Sequence, residues 1–121
     1  MKLITKLIKS FGYAFKGIYI ATLEQLNIKI HFLAVIIVTI AGIYFKITAT
    51  EWCLVVICYG MVLTAELLNS AIENLVDLVS PGHHHLAGKV KDIAAGAVLI
   101  SAICTAVVSL FIFLKYILNL L

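Results

Sequence analysis

The chain has 121 residues, is 64% hydrophobic and carries a formal net charge of +3; its mean hydropathy is +1.16. An apolar share this large excludes an ordinary soluble domain, and the length excludes two domains. What is left is one all-α membrane unit over residues 1–121, with lipid and not nucleic acid as its surroundings. A bundle this small encloses little interior of its own, so assembly of several copies is a natural way to build a site. Lysines recur at 2, 6, 9 and 16 with no long apolar core and no small-residue cleavage site, so the first stretch is expected to remain in the mature protein.

Residues 2–23 predict an amphipathic surface helix. Leu3, Ile4, Leu7, Ile8, Phe11, Phe15 and Ile18 share one face, and Lys2, Lys6, Lys9, Tyr13 and Lys16 the other. Glu24 to His31 is a polar patch, and an apolar run follows, giving a first span at about 30–46. After a short turn, Thr50 is the expected cap of the next helix, with Glu51 in its first turn. That second span, 52–79, opens on Trp52, a residue type that anchors at membrane interfaces. Ser80-Pro81-Gly82 ends it, and 80–92 reads as the one long polar loop. A third span, 93–115, carries the small residues Ala94, Ala95, Gly96, Ala97, Ser101 and Ala102, which permit close helix packing. Cys53, Cys58 and Cys104 sit in apolar runs without a CxxC pair and read as plain small residues.

Three spans place Lys2, Lys6, Lys9, Lys16, Lys29, Lys89 and Lys91 on one side and only Lys46 and Lys115 on the other. The positive-inside rule then puts the N-terminus in the cytoplasm and the C-terminus outside.

The second span contains Glu66, Asn69, Ser70, Glu73 and Asp77. Their i, i+3, i+4, i+7, i+11 spacing puts them on one helix face. Ionisable groups in a membrane helix are costly and mark function by default. Glu66 lies fourteen residues beyond Trp52, about 21 Å along the axis at ~1.5 Å per residue. In a hydrocarbon core of ~30 Å that is the far third, with Glu73 and Asp77 near or past the opposite interface. The stripe therefore opens toward the lysine-rich side.

Carboxylates beside lysines at a lipid–water boundary suit phosphoryl transfer, which needs a metal held by carboxylates, cations on phosphate and a group that deprotonates the acceptor. Glu73 can hold metal, Lys91 can neutralise phosphate, and Glu66 can take the proton of a lipid hydroxyl, with Asn69 and Ser70 as hydrogen-bonding neighbours. Asp77 and Asn74 read as interfacial polar residues. Gly82 to Lys89 is not a P-loop: its glycine spacing is one residue too long, and Val90 stands where Ser or Thr should be. Three consecutive histidines, His83 to His85, cannot all face one zinc ion from a regular helix.

Glu66-x-x-Asn69-Ser70-Ala71-Ile72-Glu73-x-x-x-Asp77, followed by His84-x-Leu86-Ala87-x-x-Val90-Lys91-Asp92, resembles the prokaryotic diacylglycerol kinase family of small integral-membrane lipid kinases, which includes undecaprenol kinases. Lys9-Ser-Phe-Gly12-Tyr13-Ala-Phe-Lys16-Gly17 is similar to that family too, so the resemblance covers nearly the whole chain. It implies a homotrimer, each protomer with a surface helix and three transmembrane helices, in the bacterial inner membrane. It implies ATP with Mg²⁺, and a lipid alcohol in the bilayer as acceptor. By the resemblance, Glu66 is the catalytic base and Glu73 the Mg²⁺ ligand beside ATP. Lys6, Tyr13, Gly82, His83, His84, Lys91 and Asp92 contact nucleotide, while Lys9, Asn69 and Ser70 lie toward the lipid substrate. The second metal-binding acid of the family falls on Gln25, next to Glu24; Glu24 replaces it only if the helix shifts or turns there.

Diacylglycerol is the leading acceptor, with undecaprenol as the alternative. Two other classes compete: a non-enzymatic small membrane subunit, which leaves Glu66, Asn69 and Glu73 unexplained, and a phosphatase or phosphotransferase working through the histidines.

Overall fold

The computed structural model describes residues 1–121 and holds four helices: α1 Lys2–Glu24, α2 Leu26–Phe45, α3 Ala49–Val79 and α4 His85–Leu120. The last three are each long and apolar enough to cross a membrane. α3 and α4 pack along each other most extensively, α2 lies mainly against α3, and α1 touches α2 and α3.

Element boundaries differ from the expectations at the polar segments. The break between α1 and α2 is a single extended residue, Gln25, so the 24–31 patch is helical and α2 begins at Leu26, not near residue 30. The segment 80–92 is not one loop: α4 starts at His85, leaving only Ser80 to His84 between helices. Beyond Pro81 and Gly82, nothing as far as Asp92 breaks a helix except the tolerated Gly88. Polarity there reports surroundings, not irregular backbone. His84 caps α4 by accepting the Leu86 amide on Nδ1 at 3.1 Å.

The turn before α3 is built by two local devices. Lys46 adopts a left-handed conformation (φ 53°), and the amides of Lys46 and Ile47 donate back to the carbonyls of Ile43 and Gly42. That is the Schellman pattern, with the following Ile47 buried as its hydrophobic contact. The cap of α3 is Thr48, not Thr50. Thr48 Oγ1 accepts the Glu51 amide at 3.2 Å and Glu51 Oε1 accepts the Thr48 amide at 2.9 Å, a reciprocal capping box.

The apolar core lies at this end of the bundle. Ile47, Val55, Ile112 and Phe113 form its centre, with Phe45, Trp52 and Tyr116 packed around them. The Phe45 and Tyr116 rings stack 5.7 Å apart. Trp52 lies over Gly42, where an added Cβ would stand 2.7 Å from the indole ring. Glu51 closes the end: it accepts the Tyr116 hydroxyl at 2.5 Å and pairs with Lys115 at 3.0 Å. Tyr59 ties α3 to α2 through the Thr39 hydroxyl at 2.8 Å and the Val35 carbonyl. Toward the other end Ala94 and Ser101 of α4 are buried, as small residues at a close helix contact should be.

Only 14 of 121 residues are buried, so most of the apolar surface of α2, α3 and α4 points outward. With one end locked by packing, the polar stripe of α3 occupies the other half of the bundle.

Candidate functional site

The polar face of α3 is graded as its spacing predicts. Glu66, Asn69 and Ser70 are buried, Glu73 is half-buried and Asp77 is exposed. Glu66 is 1% exposed, and neither of its carboxylate oxygens has a hydrogen-bond donor in the chain. The Asn69 Oδ1 and Ser70 Oγ atoms are likewise buried without partners. Unpartnered oxygens on three side chains of one buried face mark a site or a contact still to be made, because buried polar groups are otherwise hydrogen-bonded.

Asn69 directs its amide nitrogen to Glu73 Oε1 at 3.4 Å, so its donor orients the neighbouring carboxylate while its oxygen stays free. Glu73 is thus a fixed, half-exposed oxygen donor one to two turns from Glu66. Asp77, beyond it, pairs with Lys91 of α4 at 2.6 Å and links the two helices at their exposed ends.

Residues from other elements fall into two groups. Glu24 lines a groove between α1 and α3 with Gly17, Ala21, Ser70 and Asn74. The helix ends at Glu24 and restarts at Leu26, so the turn that sequence reasoning required is present, with Gln25 half-buried at the break. His83, His84, His85, Lys89 and Asp92 surround an open basin of about 510 Å³ at the start of α4. Lys91 points instead to Asp77, and Gly82 lies exposed on the connection. Lys6, Lys9 and Tyr13 are exposed along α1, and the structure makes no contact between them and the buried carboxylate. No cluster of three His, Cys, Asp or Glu side chains forms within the chain.

One residue of this region was missed from the sequence. His31 of α2 lies with Nε2 3.6 Å from Glu66 Oε2. In the sequence it stands at the end of a polar patch, but α2 starts five residues earlier, which makes His31 an ionisable residue within a helix apolar enough to span a membrane. That signal is the same one that singles out Glu66.

The sequence matches the family model described as prokaryotic diacylglycerol kinase over residues 12–113. It is 37% identical to the undecaprenol kinase of Bacillus subtilis (strain 168) over 111 residues, covering 92% of this chain and 90% of that protein. It is 34% identical to the diacylglycerol kinase of Escherichia coli (strain K12) over 103 residues, covering 85% and 84%. The diacylglycerol kinase of Helicobacter pylori (strain J99) is 34% identical over 116 residues, 95% of this chain.

Proposed function

The chain belongs to the prokaryotic diacylglycerol kinase family, and we propose that it transfers the γ-phosphoryl group of ATP to the hydroxyl of a membrane lipid, diacylglycerol in the first place, giving phosphatidic acid. The observation that carries this reading is Glu66: a carboxylate 1% exposed, without donors, on the polar face of a membrane helix. A non-enzymatic subunit has no use for that arrangement. A histidine-based phosphatase has no use for it either.

Glu66 takes the proton of the acceptor hydroxyl. The oxygen then bonds to the γ-phosphorus as the bond to the β-phosphate oxygen breaks, and ADP leaves with that electron pair. Glu73 suits Mg²⁺, because that ion is usually held by one or two carboxylates together with substrate phosphates. Asn69 fixes the orientation of Glu73. An Mg²⁺ ion held there would supply positive charge against the phosphates. Glu24 is the second acid in reach of the same helix face, through its groove beside Ser70 and Asn74. Lys6, Tyr13, Gly82, His83, His84, Lys91 and Asp92 receive the nucleotide, and Lys9, Asn69 and Ser70 face the lipid headgroup. For Lys91 this requires exchanging Asp77 for phosphate, which is easy for an exposed ion pair.

α1 lies along the bilayer interface, and three copies assemble in the bacterial inner membrane with their N-termini cytoplasmic. Its separated lysine and apolar faces support the first statement. Support for assembly comes from α3, where Gly60, Thr64 and Asn69 line an outward groove and a Cβ on Gly60 would meet nothing within 4 Å. Small residues of this kind let another helix approach closely.

Undecaprenol is the second reading of the acceptor, favoured by the match to the Bacillus subtilis undecaprenol kinase over 92% of the chain. Purified protein is to be given Mg-ATP with diacylglycerol and with undecaprenol in parallel. A higher kcat/KM for diacylglycerol supports the first acceptor, and the reverse order selects the second. Phosphorylation of neither lipid refutes the proposal.

A further inference from the structure

His31 is absorbed by none of the roles above. Its imidazole is the one ion-pair partner of Glu66, at 3.6 Å, and the side chain is 21% exposed. The distance is too long for a hydrogen bond, yet short enough that a small rotation of either side chain closes it. A buried carboxylate is tolerated only when it is paired or neutralised. Glu66 has no donor from its own helix or from α4, so the imidazole is what this chain supplies. His31 also borders a cleft of about 260 Å³ between α2, α3 and α4. The other titratable groups on that cleft are Cys58 and Tyr59 of α3; α4 adds the uncharged Thr105 and Ser109. Glu24 of α1 lies in the adjoining groove beside Ser70, and Glu73 lies further along α3.

We infer that His31 is a positioning residue for Glu66, holding the buried carboxylate turned toward the lipid hydroxyl through their close side-chain contact. This rests on the reading of Glu66 as the base. The acceptor proton goes to Glu66, and His31 remains its partner without touching substrate. A purely structural histidine would fix α2 against α3 and leave the pH dependence of turnover unaltered.

The test compares four forms of the full chain in detergent–lipid micelles: wild type, Glu66→Gln, His31→Gln and His31→Lys. Turnover is followed over pH 6 to 9, with KM for Mg-ATP at each point. Without that partner the carboxylate is left alone in its buried site. His31→Gln is expected to lose about tenfold or more in kcat at neutral pH, with a pH profile whose shape differs from that of wild type. KM for Mg-ATP should stay within about twofold, since a base acts on the chemical step and not on nucleotide binding. His31→Lys, which places a cation beside the carboxylate, should regain much of the rate. If Glu66→Gln is inactive while His31→Gln has a wild-type profile, the inference is overturned and the base reading stands. If Glu66→Gln turns over normally, the base reading itself fails. Equal loss in both His31 variants, with KM for Mg-ATP raised, shows a structural role and also overturns the inference.

Discussion

Replacing Glu66 by Gln separates catalysis from stability more sharply than any other change in this chain. The substitution keeps the side-chain shape and removes the charge. In the folded chain that charge is buried, without a hydrogen-bond donor, and 3.6 Å from one half-buried imidazole. At an effective dielectric of ~20, two opposite unit charges that far apart attract by about 5 kcal/mol. Taking each ion out of water costs several kcal/mol, so the pair as a whole breaks even or is unfavourable. A buried amide lacking partners costs about 1–3 kcal/mol. Glu66→Gln removes one member of that pair and leaves the imidazole without its carboxylate, so it should unfold at a somewhat lower denaturant concentration than wild type while the fold persists. Its turnover should fall by a factor of ~10² to 10⁴ or more, the scale of a lost general base. Both quantities are read from one detergent preparation, by SDS titration of helicity and by ATP-dependent lipid phosphorylation. A variant less stable by more than about 1 kcal/mol that still turns over near the wild-type rate would refute the reasoning, since Glu66 would then be a structural residue.

Further predictions follow from neighbouring contacts. Asn69→Ala removes the donor that orients Glu73 and should raise the Mg²⁺ concentration for half-maximal rate about 10-fold or more, as lost outer-shell contacts do; a Mg²⁺ titration checks it. Glu24→Gln should raise the same Mg²⁺ requirement while Gln25→Ala leaves it unchanged, because Glu24 and not Gln25 lines the groove on α3; an unchanged requirement in Glu24→Gln places the second ligand elsewhere. Gly42→Ala drives a Cβ to 2.7 Å from the Trp52 ring and should cost about 1–3 kcal/mol in unfolding free energy, with partial recovery in the Gly42→Ala, Trp52→Phe double variant. Tyr116→Phe removes the hydroxyl bound to Glu51 and should lower the unfolding midpoint while leaving kcat and KM for Mg-ATP unaltered.

The gradient of burial from Glu66 to Asp77 was legible because helix periodicity puts these residues on one face that runs toward the end of α3. The three spans were legible from the length of their apolar runs. The helical start of α4 was not, since His83 to Asp92 are polar for reasons of surroundings, and hydropathy does not distinguish a solvated helix from a loop. Thr48 and Thr50 are both acceptable caps; the Schellman turn at Lys46 and Ile47 decides between them, and a lysine in a left-handed conformation carries no sequence mark. The pairs Glu51–Tyr116 and Asp77–Lys91 join residues 65 and 14 positions apart, so they exist only once helices are packed. His31 is the instructive miss. The rule that exposed Glu66 applied to it equally, but the first span was begun at residue 30, which left the histidine at a boundary instead of one turn inside.

The central claim is that the buried carboxylate of α3 serves transfer of phosphate to a lipid hydroxyl. It is tested most directly by following γ-labelled ATP in lipid micelles containing the wild-type chain, a lipid alcohol and Mg²⁺, with Glu66→Gln alongside. Label is expected in the lipid fraction with wild type, dependent on both the alcohol and Mg²⁺, and none above background with Glu66→Gln. Absence of labelled lipid with wild type, or equal labelling by the two proteins, would contradict it.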